Sequence, residues 1–160
     1  MVTATLEAVR AAVEQVLDPE LPLVTIAELG ILRDVTVEDG HAVVTITPTY
    51  SGCPAMEAIA ADVKAALASV DADGEVRTVL APAWTTDWIT PSGRDKLAAA
   101  GIAPPGPVPH TGAVALELGV RCPHCGSTST RVISRFGSTA CKALRVCSDC
   151  AEPFDEFKPL

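Results

Sequence analysis

Cys122-Pro123-His124-Cys125 and Cys147-Ser148-Asp149-Cys150 are two C-x-x-C knuckles about twenty residues apart, the ligand spacing of a four-cysteine metal site. A two-residue spacer lets both thiolates of one knuckle reach the same ion. The second knuckle then completes a tetrahedron with metal–sulfur distances of about 2.3 Å. Four protein ligands leave no coordination position for water or substrate, so an ion held this way organises a fold. Zinc is expected in an all-thiolate tetrahedron, with iron as the alternative. His124, inside the first knuckle, reads as an exposed residue and not a ligand. Cys141, shortly before the second knuckle, reads as a small core side chain.

Outward from the knuckles, residues 130–136 and 141–146 look like short strands of a ribbon. A segment running from residue 113 to 160 with so few large apolar side chains cannot build a sufficient core, and the metal is expected to supply the missing stability. Ala103-Pro-Pro-Gly-Pro-Val-Pro109 reads as an extended, semi-stiff linker. The chain therefore divides by sequence into residues 1–102, a linker at 103–112 and a ribbon at 113–160.

Within residues 1–102, Leu6, Val9, Val13, Val16 and Leu17 recur at helical steps. Asp18-Pro19-Glu20 and Pro22 stop that helix, because a residue before proline is pushed out of the helical region. Residues 31–37 and 41–47 read as strands joined by Asp39-Gly40, a strong two-residue hairpin signal. Pro54 fits the first position of a second helix, with Met56, Ile59, Ala60, Val63, Leu67 and Val70 on its buried face. Residues 76–82 read as a third, buried strand. A short helix opened by Ser92 follows. The fold class expected is α+β: a small mixed sheet covered by helices in the order α-β-β-α-β-α, followed by a four-cysteine zinc ribbon.

The composition is that of a globular protein, with 160 residues of which 48% are hydrophobic and only 4% aromatic. The opening residues lack a basic start and a cleavage site, and no run is long enough to span a membrane, so a cytoplasmic protein with reduced cysteines is expected. The net charge of −8 is uneven, being −10 over residues 1–119 and +2 over residues 120–160. An acidic body repels polyphosphate, so neither nucleic acid nor membrane is an expected partner. Arg131, Arg135, Lys142 and Arg145 nevertheless motivate a subordinate reading of the ribbon as a nucleic-acid binder.

Cys53 stands after Gly52 and before Pro54, at a helix start. A thiolate there would meet the positive end of the helix dipole and unpaired backbone N–H groups, a setting suited to a reactive thiol or a transient soft-metal ligand. A buried, inert cysteine is the alternative on position alone. Asp18 and Glu20 could do acid–base work, though a helix stop with solvated charges is the commoner role for such a pair. Trp84 and Trp88 read as core plugs or an interaction surface; His41 and His110 read as surface residues. No phosphate loop, nucleophile elbow or H-E-x-x-H segment occurs, which disfavours an independent enzyme.

Asp18-Pro-Glu20-Leu-Pro22, Glu28-Leu-Gly30-Ile31 and Thr47-Pro-Thr49 through Gly52-Cys53-Pro54 together resemble the SufT-like iron–sulfur assembly family. Arg135-Phe-Gly-Ser-Thr-Ala-Cys141-Lys-Ala, the second knuckle and Glu152-Pro-Phe-Asp-Glu-Phe157-Lys resemble the PaaD-like family. Those proteins join such an assembly domain to a zinc ribbon and accompany a bacterial phenylacetyl-CoA epoxidase. The resemblance implies an accessory, non-catalytic subunit in aerobic phenylacetate catabolism. Its implied partners are the oxygenase and reductase components, with a homodimer left open. Its implied cofactors are a structural Zn2+ and, transiently, an iron–sulfur cluster. It further implies that Cys53 is the functional loop cysteine, supported by the acidic turn of Asp18 and Glu20. Two functions follow: assistance in delivering iron or a cluster to an oxygenase component, or a structural and docking role without metal delivery.

Overall fold

The computed structural model describes residues 4–108 and 119–160. Pro109, His110 and the expected start of the ribbon at residue 113 lie outside the described residues. The chain forms two compact units divided after Trp84.

In the first unit, α1 (Leu6–Glu14) opens on Thr5, whose Oγ1 accepts from Ala8 N–H at 3.2 Å, and buries Val9 and Val13. It ends earlier than the apolar spacing predicts. Leu17 leaves the helical path to form a β-bridge with Thr25, and Leu6 and Leu17 are both exposed. β1 (Leu32–Glu38) and β2 (His41–Ile46) form the expected antiparallel hairpin, with Asp39 and Gly40 at φ 51° and 79° in its turn. α2 (Ala55–Ser69) crosses over to β3 (Gly74–Thr78), which joins β2 in parallel. The sheet order is β1-β2-β3. It is a mixed sheet with α1 against α2 and β1.

Central β2 carries the core: Ala42, Val43, Val44 and Ile46 are all buried, with Val35, Ile59, Val63 and Leu67 among the buried side chains of its neighbours. The apolar run predicts a buried third strand reaching residue 82. β3 is instead a short edge strand with mostly exposed side chains, because only β2 flanks it among the described residues. Trp84 is buried and its Nε1–H donates to Leu29 O at 2.9 Å, so it is a core plug.

The second unit begins well before the expected boundary at residue 102. A 3-10 turn (Thr86–Trp88) leads into α3 (Pro91–Ala99), capped by Thr90 Oγ1 and not opened by Ser92, and then into β4 (Ile102–Ala103). β4 pairs in parallel with β7 (Pro153–Phe157), and Thr86 exchanges hydrogen bonds with Leu160. Arg94 binds the segment together, donating to Thr86 O at 2.8 Å and Pro105 O at 2.6 Å. These long-range bonds assign α3 to the ribbon unit. They also make Ala103, expected in the linker, part of a sheet. With β5 (Thr130–Ser134) and β6 (Lys142–Cys147) the second sheet has the order β4-β7-β6-β5. Both units are small mixed α/β layers, in agreement with the α+β class.

Candidate metal centre and loop cysteine

Both knuckles fold by one hydrogen-bond pattern. Gly126 N–H donates to Cys122 O at 2.9 Å and Cys122 N–H to Ser127 O at 2.8 Å. Ala151 N–H donates to Cys147 O at 3.1 Å and Cys147 N–H to Glu152 O at 3.0 Å. The residue after each knuckle is left-handed, Gly126 at φ 77° and Ala151 at φ 63°. A glycine meets that demand without strain; an alanine carries it at a cost of about 1–2 kcal/mol.

These turns bring together Cys122, Cys125, Cys147 and Cys150, whose sulfurs all lie within 4.8 Å of one another. Across the knuckles, Cys122 Sγ is 3.8 Å from Cys150 Sγ and Cys125 Sγ is 3.5 Å from Cys147 Sγ. Metal–sulfur bonds of about 2.3 Å at tetrahedral angles require sulfur separations of about 3.8 Å, whereas a disulfide requires about 2.05 Å. The donor set therefore fits an all-thiolate ion and not a pair of disulfides. Cys122 and Cys147 are buried with Ala103 and Phe154, and Val120 and Cys150 pack on this small apolar cluster.

The thiols respond to their surroundings unequally. Backbone N–H groups, that of Cys150 foremost, lower Cys147 to about 7 despite its burial. Cys150 is pushed up to about 12. The Glu152 backbone N–H lowers it, but burial and the Cys125, Cys147 and Cys122 thiols together outweigh that effect. Cys125, although exposed, is also raised: the Ser127 backbone N–H pulls it down, and the Cys147 thiol with partial desolvation of the sulfur outweighs that pull. Cys147 ionises readily, while Cys125 and Cys150 resist. A bound cation relieves that repulsion by replacing the protons.

His124 is exposed, packs edge-on to Phe154 with ring centroids 6.4 Å apart, and is outside the four-sulfur group. Cys141 is buried with its sulfur 3.0 Å from Thr139 Oγ1, and it too is outside the group. Lys142 and Arg145 are buried and face Asp155 at 3.8 Å and Glu156 at 2.8 Å. Two of the four cations that motivate a nucleic-acid surface are thus engaged inside the ribbon.

Cys53 belongs to the first unit and is half-buried. Gly52 at φ 82° turns the loop, Cys53 N–H donates to Tyr50 O at 3.3 Å, and Cys53 O accepts from Met56 N–H at 3.3 Å in the first turn of α2. Pro54 has helical dihedrals and no side chain caps the helix, so the loop backbone alone sets the thiol at its N-terminal end. Thr47, in the same motif, is buried, and its Oγ1 has no hydrogen-bond partner among the described residues.

Asp18 is buried, and its Oδ1 accepts from Glu20 N–H at 2.9 Å and Leu21 N–H at 2.8 Å. Its carboxylate braces the turn, while Glu20 is half-buried. The neighbouring turn is closed by a reciprocal pair absent from the sequence reading: Thr25 N–H donates to Glu28 Oε2 at 3.0 Å and Glu28 N–H to Thr25 Oγ1 at 3.1 Å. The T-x-x-E spacing of a capping box is its available signal.

Residues 106–158 match the family described as PaaD zinc beta ribbon domain, and residues 6–78 match the family described as iron-sulfur cluster assembly protein. The chain is 47% identical over 150 residues to an Escherichia coli (strain K12) protein named provisionally as a 1,2-phenylacetyl-CoA epoxidase subunit, covering 92% of this chain and 89% of that one. It is 44% identical over 90 residues to the Fe-S protein maturation auxiliary factor YitW of Bacillus subtilis (strain 168), covering 54% of this chain and 87% of that one. Among solved structures, a DUF59 domain of unknown function from Bacillus anthracis aligns with a TM-score of 0.53 at 34% identity, covering 57% of this chain and 90% of that one. Among the described residues, no helix is long and apolar enough to cross a membrane.

Proposed function

The chain belongs to the family that joins an iron–sulfur cluster assembly domain to a PaaD zinc β-ribbon, and on that premise we propose that it is a non-catalytic maturation subunit of a phenylacetyl-CoA epoxidase system. In this reading its cargo is iron or an iron–sulfur cluster destined for an oxygenase or reductase component. Cys53 is the transient ligand for that cargo, on a loop fixed by Gly52 and the start of α2. Asp18 keeps the acidic turn in shape, and Glu20 contributes its charge. Cys122, Cys125, Cys147 and Cys150 hold a structural ion, for which zinc is the chemical choice. The ion supplies fold stability that the small ribbon core lacks.

The observation that carries this reading is a half-buried cysteine at the head of α2, within the residues that match the assembly family. The test replaces Cys53 with Ser and measures iron and acid-labile sulfide in the epoxidase components produced alongside. The proposal predicts depleted components and unchanged metal content in the ribbon. Fully loaded components would refute the role of Cys53. Full loading combined with lost turnover when this subunit is omitted would instead favour the structural and docking role.

A further inference from the structure

We propose that the outer edge of β5 is a docking strand for an extended, acidic segment of a partner subunit. This rests on the reading that the chain works by engaging other components of an oxygenase system. β5 ends the sheet order β4-β7-β6-β5; at its start Thr130 N–H turns back to Thr128 O at 3.0 Å and Thr130 Oγ1 donates to Val120 O at 2.7 Å, and beyond that point no further strand among the described residues pairs with its outer side. Val132 and Ile133 on this strand are 42% and 50% exposed, and Phe136 in the turn that follows it is 72% exposed. The exposure of Phe136 is built in. Ser134 Oγ donates to Phe136 O at 2.9 Å and accepts from Phe136 N–H at 3.2 Å, which fixes the turn that presents the ring. Lys158 Nζ lies 5.2 Å from the ring centroid and donates to Arg135 O at 3.2 Å, bracing the same turn.

Charge selects the occupant. Arg131 and Arg135 are exposed, and among the described residues no carboxylate pairs with either of them or with Lys158. The strand contributes Arg131, Val132 and Ile133, and the turn after it adds Arg135 and Phe136 with Lys158 held against that ring. Arginines and the irregular register between Val132 and Ser134 would ordinarily blunt an edge strand against association, yet the exposed apolar side chains between them favour it. The combination accepts one class of strand and rejects another. A second β5 would set arginine against arginine, whereas an acidic segment with alternating apolar residues satisfies both the charges and the backbone.

The experiment uses the full, metal-loaded chain and the purified remaining subunits of the epoxidase. Binding is measured for wild type, R131E/R135E and V132T/F136S, with metal content and circular dichroism confirming that each variant is folded. The expected result is a loss of at least about tenfold in affinity for each variant. Binding by wild type should weaken with salt, and amides of residues 130–134 should gain hydrogen-exchange protection in the complex. Variants that bind like wild type, or β5 amides unchanged by the partner, overturn the docking strand alone. Wild type that binds no subunit overturns both the docking strand and the subunit reading. A dimer of this chain dissolved by V132T/F136S, or nucleic acid displaced by the subunits from this edge, would replace the acidic segment with a different occupant.

Discussion

Arg145 Nη1 donates to Glu156 Oε2 at 2.8 Å with both side chains buried between β6 and β7. Such a pair gains little over an apolar one but is strongly destabilising when half of it is removed. Glu156→Ala should destabilise the ribbon unit by about 3–5 kcal/mol, whereas the joint replacement Arg145→Met with Glu156→Leu should stay near neutral. Urea denaturation read through hydrogen exchange of β6 and β7 amides compares the two. Equal losses would show that the pair is not the determinant.

The two knuckles differ at one backbone position. Ala151 occupies a left-handed conformation where its counterpart is Gly126. Ala151→Gly should raise ribbon stability by up to about 1 kcal/mol, and Gly126→Ala should lower it by about 1–2 kcal/mol. A Cβ at Gly126 would approach nothing nearer than Arg121 Nη1 at 3.9 Å, so the second effect measures dihedral strain and not a clash. Thermal melts of the metal-loaded variants give both signs.

Thr47 Oγ1 is buried without a described partner, a situation that costs about 1–3 kcal/mol. Thr47→Val should therefore be neutral or stabilising in denaturant titrations. A stable variant that nevertheless fails to load epoxidase components would give the hydroxyl a role beside Cys53. A destabilised variant would show that the hydroxyl has a structural partner.

Metal retention should fall as pH falls. Cys125 and Cys150 hold their protons above the ordinary thiol range, and Cys150 does so to about 12. A bound ion must displace those protons. Acid favours the protonated, metal-free state, and each proton displaced weakens binding about tenfold per pH unit lost. Chelator titrations at pH 8 and pH 6 should show easier release at pH 6, with loss of protection in β6 and retained protection in β2. Retention independent of pH would contradict thiolate ligation.

Much of the candidate site is legible in the sequence because its signals are local. The knuckle spacing, the Asp39-Gly40 turn and Pro54 at the head of α2 each depend on a few neighbouring residues. The four sulfurs converge as that spacing requires. What escapes depends on distant partners. Ala103 reads as the start of a linker, and Ile102 as the last residue before it, because their strand partner, β7, lies some fifty residues further on. Lys142 and Arg145 read as surface because charged residues seldom enter a core; only Asp155 and Glu156 on the facing strand make their burial tolerable. Leu17 continues a helical pattern in sequence, but its bridge to Thr25 ends the helix first. Thr90-Pro91 carries the capping signal that opens α3, two residues ahead of Ser92.

Elemental analysis of the freshly purified chain, with its visible spectrum, tests whether the ribbon is folded around a four-thiolate ion. About one equivalent of zinc is expected, with no colour from the ribbon and with loss of both the ion and ribbon protection in Cys122→Ser. A chain free of transition metal whose ribbon remains folded would contradict that expectation.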